Sequence, residues 1–204
     1  MNCVPWGQIE ANHEKMLERK RLYKQYGYDQ DASRKFIIEK CLPLEKPVLE
    51  IGTGKGGMTV LLAKNAGKVL TVDISAGEQE FARLNAAAEG VLDKIEFVVR
   101  DAADLPYPDK SFGTVVSVNA FHHFEQPFAV LAEMIRACAA KLVIADFNRE
   151  GFEIIRQIHR DEGREHEEQC GDFSIVGEYL KEHNFVVNRY EDHCQQVYVA
   201  QRGK

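Results

Sequence analysis

Short apolar runs alternate along this chain with longer stretches in which apolar residues return every three or four positions, a pattern that predicts strands and helices in turn. Val48, Leu49 and Ile51 make the first clear run; Met58, Leu61, Leu62 and Ala66 follow at helical spacing, and Val69, Leu70 and Val72 make the next run. Residues 47–73 thus read as strand, glycine turn, helix and strand, ending on Asp73. A capping-box pattern, Ser75 to Glu78, opens a second helix with Phe81, Leu84, Ala87 or Ala88 and Val91 inward. Strands are predicted at Lys94–Val99 and Thr114–Asn119, either side of a turn rich in proline. A helix over Glu125–Cys138 buries Phe128, Leu131, Met134 and Ile135. The nearly continuous apolar run Lys141–Phe147 suits a parallel strand covered on both faces.

The flanks extend this pattern. Residues 8–25 and 30–42 predict two helices ahead of the first strand, with Tyr23, Tyr26 and Tyr28 around Gly27 between them. Phe152, Ile155, Ile158 and His159 begin another helix whose charged continuation runs toward Glu168. A last helix over Ser174–Asn184 carries Ile175, Val176, Tyr179 and Leu180 inward, and Phe185–Tyr190 with Gln196–Ala200 predicts a terminal hairpin.

With 204 residues the chain is long enough for one sizeable core and short for two domains. The division expected is a helical segment over 1–44 and an α/β core over 45–204. Net charge is -6, which supplies no general field for nucleic acid or an anionic membrane. The opening MNCVPWGQIE has neither a basic leader nor an apolar core, and no run approaches membrane-spanning length, so a cytoplasmic protein without membrane insertion is expected. Its five cysteines are widely spaced, with no C-x-x-C pair, which favours reduced thiols and argues against an iron–sulfur cluster.

Ligands of open α/β sheets sit beyond the carboxyl ends of the strands, where glycines admit the ligand to the backbone and an acid accepts ribose hydroxyls. Gly52, Gly54 and Gly57 alone satisfy the dinucleotide fingerprint, which leaves a nicotinamide-dependent oxidoreductase as one alternative. Glu50 helps to decide between them. Glu50, Gly52, Gly54 and Gly56 match the E/D-x-G-x-G-x-G motif, and the chain resembles the class I S-adenosylmethionine-dependent methyltransferases over roughly residues 45–200.

That resemblance implies a doubly wound seven-stranded α/β sheet, mostly parallel with an antiparallel C-terminal pair, and S-adenosylmethionine as cofactor. It implies cofactor contacts from Glu50, Gly52, Thr53, Gly54 and Gly56, from Asp73 and Ile74 at the ribose, and from Asp101 and Ala102 at the adenine. Asn119 and Ala120 border the methionine arm. Helices ahead of the first strand cover the cofactor in similar proteins, which assigns Tyr26 to it; an aromatic face gains about 0.5–2 kcal/mol from a nearby cation. Gly113 departs from the family, where an acid often follows the Ser-Phe pair.

Asn119-Ala120-Phe121-His122-His123-Phe124 resembles the A-L-H-H segment of methyltransferases acting on small molecules and quinone rings, and makes His123, then His122, the catalytic candidates. Sequence neighbours project differently, so both cannot face one chamber. The N/D-P-P-Y/F pattern of many nucleic-acid and protein methyltransferases is missing, which favours a small-molecule acceptor. Three alternatives remain: a protein that binds the cofactor without catalysis, a nicotinamide-dependent oxidoreductase, and a metal-assisted site drawn from Asp146, Asn148, His159, His166 and Cys170, whose spacing matches no closed zinc motif. Neither the acceptor atom nor the oligomeric state is legible.

Overall fold

The computed structural model describes residues 5–163 and 173–203. Seven strands form one sheet in the order β3-β2-β1-β4-β5-β7-β6. They are β1 (Val48–Ile51), β2 (Val69–Asp73), β3 (Ile95–Val99), β4 (Phe112–Val118), β5 (Cys138–Phe147), β6 (Phe185–Glu191) and β7 (Gln195–Arg202). The first five pair in parallel, whereas β7 runs antiparallel to both β5 and β6. Strand order therefore reverses between β1 and β4, where a doubly wound sheet opens its ligand crevice.

Alternation along β1 sorts the core. Leu49 and Ile51 join Val115, Leu142 and Ile144 on one face of the sheet. Val48 joins Val116, Val143 and Val199 on the other. Helices α5 (Pro127–Ala137) and α7 (Ile175–Glu182) cover the first face with Leu131, Met134, Val176 and Leu180; α2 (Gln30–Cys41) and α3 (Gly57–Ala66) cover the second with Ile37, Cys41, Met58 and Leu62. A smaller cluster joins Tyr23 at the end of α1 (Trp6–Gln25) and Tyr28 to Phe147, Ile155 and Ile158, the last two on α6 (Arg149–Asp161). Helix α1 is also tied to α4 (Ala76–Ala88) by a 2.7 Å hydrogen bond from Asn12 Nδ2 to Asn85 Oδ1.

Three helices present different faces from those expected. In α4 the buried positions are Gln79, Ala82, Asn85 and Ala86, while Phe81 is 44% exposed with the Lys55 ammonium 5.7 Å from its ring centre. The reason is steric: a Cβ on Gly56 would stand 2.9 Å from the Ala82 Cβ, so the helix must turn its smallest side chains to the glycine turn. Helix α5 buries Val130 and leaves Phe128 at 45% exposure beside Tyr179, and α7 buries Val176, Gly177 and Leu180 while Ile175 faces out. Among the described residues no helix is long and apolar enough to cross a membrane.

Candidate functional site

The glycine turn between β1 and α3 is built from below. Glu50 lies in register with Thr71 of β2, and its Oε2 accepts hydrogen bonds from Thr71 Oγ1 at 2.7 Å and Thr59 Oγ1 at 2.6 Å. Thr53 Oγ1 and Thr71 Oγ1 stand 2.7 Å apart, and Gln79 Nε2 donates both to Thr53 Oγ1 and to the Val98 carbonyl. The network ties β1, β2, β3 and α4 under the turn. Burial pushes the Glu50 carboxyl up to about 7, against its two threonine hydrogen bonds. Glu50 thus departs from its expected role: it is wholly buried, does not line the cavity, and holds the turn up from inside.

Backbone geometry completes the turn. Gly52 has φ +85 and packs so tightly on Ala120 that an added Cβ would overlap that residue's own, whereas Gly54, at φ +47, would meet no protein atom within 4 Å. Gly54 therefore faces open space where Gly52 faces the protein. Asp73 closes the arrangement at the tip of β2, its Oδ2 accepting from the Gly54 amide at 2.7 Å and its Oδ1 from the Ser75 amide at 2.8 Å.

Above these residues is a cavity of about 580 Å³ at the carboxyl edge of the sheet. Of the residues expected at the site, Gly52, Thr53, Gly54, Asp73, Ile74, Asp101, Ala102, Asn119 and His123 all line it. Ile74 is 73% exposed and offers an apolar side chain beside Asp73. Asp101 also caps its own loop, Oδ1 accepting from the Ala103 amide at 2.9 Å.

Asn119 is held at φ +52, an uncommon conformation for a residue with a side chain. Its Nδ2 donates to the Tyr28 hydroxyl at 3.2 Å, leaving Oδ1 buried with no hydrogen-bond partner among the described residues. A nucleoside with an amino-acid arm fits these groups: an acid for ribose hydroxyls, an apolar platform for a base, an open glycine edge, and a lone carbonyl oxygen for an ammonium.

Several expected residues stand elsewhere. Gly56 belongs to the turn but faces α4 and a neighbouring groove, not the main cavity. The Tyr26 hydroxyl donates to Asp161 Oδ2 on α6 at 2.7 Å, so the tyrosine fastens α1 to α6 and does not line the cavity. His122 points inward, with Nδ1 2.7 Å from Asp146 Oδ1. No group of three or more potential metal ligands occurs among the described residues; Asp146 is engaged by His122, Asn148 caps α6 through the Gly151 amide, and His166 and Cys170 lie outside the described residues.

The sequence reading missed Arg19, Arg34 and His159 as cavity residues, although His159 was among the metal candidates. Arg34 packs its guanidinium over Gly57, where an added Cβ would come within 2.6 Å of Cζ, and Arg19 reaches Tyr23 Oη at 2.5 Å and Glu162 Oε1 at 3.5 Å. Both arginines come from amphipathic helices whose charges read as solvated in one dimension. Only the packing of α1 on α4 and α2, and of α2 on α3, turns them to the cavity.

Comparison with known proteins agrees with this geometry. Residues 49–143 match the family described as a methyltransferase domain. The chain is 33% identical over 122 residues to ajmaline N-methyltransferase of Rauvolfia serpentina, covering 58% of this chain and 39% of that protein. To demethylmenaquinone methyltransferase of Clavibacter sepedonicus it is 30% identical over 112 residues, covering 54% and 44%. It thus spans well under two thirds of the length of these curated relatives. Among solved structures, a Pyrococcus horikoshii OT3 protein superposes with a TM-score of 0.70 at 20% identity, over 91% of this chain and 99% of the other. A SAM-dependent methyltransferase from Aquifex aeolicus gives 0.60 at 22% identity, over 86% and 100%. These two share the fold.

Proposed function

Because the chain carries a class I S-adenosylmethionine-dependent methyltransferase domain, we propose that it transfers the methyl group of S-adenosylmethionine to a small-molecule acceptor by direct displacement. The observation that carries this reading is Asp73, locked by the Gly54 and Ser75 amides at the mouth of a cavity that also receives Asp101 and Asn119. When bound, the cofactor supplies a carbon already activated by positive sulfur.

The chain's own residues then have to align and enclose. Asp73 would hold the ribose, Ile74 and Ala102 the base, Asp101 its amino group, and Asn119 Oδ1 the ammonium, all from positions on the cavity or, for Asn119 Oδ1, with no other partner among the described residues. Arg34, beside Gly57, has the sign required by the carboxylate of the amino-acid arm. His123, Phe124, Val130 and His159 are left for the acceptor. Correct alignment alone supplies effective molarities of about 10⁵–10⁸ M, so no covalent intermediate is required. His123 is the residue placed to receive a proton where the acceptor must lose one.

A small acceptor is supported by the molecules for which the relatives are named, ajmaline and demethylmenaquinone, and by Asn119-Ala120-Phe121 where N-P-P-Y/F would stand. Helices α1 and α6 roof the chamber, joined by the Tyr26–Asp161 and Arg19–Glu162 contacts. We read residues 1–44 as that lid, and place the protein in the cytoplasm.

Calorimetry and thermal unfolding with S-adenosylhomocysteine, against reduced and oxidised nicotinamide dinucleotides, test the cofactor. A ligand at 100 times its Kd stabilises the fold by about 2.7 kcal/mol. Stabilisation by S-adenosylhomocysteine alone is expected; stabilisation by a nicotinamide cofactor instead would overturn the reading. A chain that binds but methylates nothing across a broad acceptor panel is a binding protein.

A further inference from the structure

His122 and His123 share one short turn at the end of β4 but have opposite surroundings. His123 is exposed and lines the cavity, while His122 is buried against Phe147 and Phe152. Asp146, at the end of neighbouring β5, grips the buried one twice: Oδ1 stands 2.7 Å from His122 Nδ1 and Oδ2 accepts the His122 backbone amide at 3.0 Å. The Phe147 amide also donates to Oδ1, at 2.8 Å. A carboxylate against an imidazole nitrogen places the ring proton on Nδ1. Both residues of this pair are more than nine-tenths buried, and the His122 ring centre lies 3.9 Å from that of His123.

We propose that Asp146 and His122 are positioning residues that clamp the turn over 121–123 and pin the His123 ring toward the acceptor end of the cavity. What His123 meets there rests on the methyltransferase reading, whereas the clamp rests on the geometry alone. Exposed side chains ordinarily sample several staggered rotamers. A ring backed by a buried ring, itself held by a carboxylate on the next strand, has one of those wells selected in advance. His123 therefore arrives oriented, and the orienting bonds lie away from solvent.

Two substitutions separate the parts of the clamp. Asp146→Asn puts an amide donor at one of two oxygen positions, so either the His122 backbone amide loses its acceptor, or the ring turns to its Nε2–H tautomer and the Phe147 amide loses its own. His122→Asn keeps an N–H near the position of Nδ1 and the backbone amide, but removes the ring behind His123. Three-bond Hα–Hβ couplings of His123, measured by NMR on the full chain, report whether χ1 occupies one well or several.

One rotamer is expected in the unsubstituted protein and averaged couplings in both variants. Calorimetry should show S-adenosylhomocysteine affinity unchanged within about twofold in each, because neither residue lines the cavity. An averaged His123 in the parent protein, or a single retained rotamer in either folded variant, overturns the proposal. Should Asp146→Asn fail to fold, His122→Asn decides it. Failure of the parent protein to bind S-adenosylhomocysteine would instead refute the cofactor reading and leave the couplings to judge the clamp.

Discussion

Glu50 gives the most quantitative handle on how the glycine turn is supported. In the unfolded chain its carboxyl titrates near 4.5; in the fold, burial raises it to about 7, with the Asp73 charge adding to the rise and the Thr59 and Thr71 hydroxyls opposing it. The folded form therefore retains a proton that the unfolded form has already lost. This group's contribution is fully present below pH 4.5 and is lost as pH climbs through about 7, for a total of about 3 kcal/mol. Glu50→Gln has no proton to lose and keeps an oxygen for the two threonine hydroxyls.

Urea unfolding of the cofactor-free protein at pH 5 and pH 8 isolates the effect, because every other titrating group is common to both chains. Between those two values the stability of the variant relative to the parent should rise by about 2–3 kcal/mol. Parallel stability profiles for the two proteins would show that Glu50 is ionised in the fold, and would refute the argument from burial.

Asp73→Ala should weaken S-adenosylhomocysteine binding about tenfold or more while the chain stays folded; an unaltered Kd by calorimetry would remove Asp73 from the ribose. Gly52→Ala, which drives a methyl into Ala120 at φ +85, should cost about 2–4 kcal/mol in urea unfolding. Gly54→Ala, with space around it, should cost only about 1–2 kcal/mol yet lose cofactor affinity, and equal stability losses at the two glycines would contradict their different surroundings. Tyr28→Phe removes the acceptor shared by Asn119 Nδ2 and Gln195 Nε2 and should destabilise the fold by about 1–3 kcal/mol; a neutral result would mean that those amides find other partners.

The floor of the site was legible because its determinants are local. Glycines at fixed offsets, an acid ending a short apolar run and a second acid ending the next are set by strand length and turn geometry, and Asp73 and Asp101 both reach the cavity from them. Glu50 shows where that logic stops: the motif gives its position, but only the pairing of β1 with β2 and the packing of α3 turn it into the sheet. Tyr26, Phe81 and Phe128 failed for a related reason. Spacing gives a helix face but not which neighbour covers it, and in α4 small residues took the buried places where the Gly56 backbone came close. His122 and His123 were correctly expected to diverge, but identifying the inward one required Asp146, from a strand whose neighbour in the sheet cannot be read from periodicity.

The chamber's two halves come from different parts of the chain. Every turn and strand end of the floor lies between residues 51 and 126, in one uninterrupted stretch, whereas Arg19 and Arg34 come from before it and His159 from after it. Exchange of the two flanks between homologous proteins would thus replace Arg19, Arg34 and His159 together while leaving Gly52, Asp73, Asp101 and His123 inherited as a single block. One cavity floor can in this way be paired with different flanking helices, with the junctions at residues 47 and 148 cutting through neither the glycine turn nor the acids at its rim.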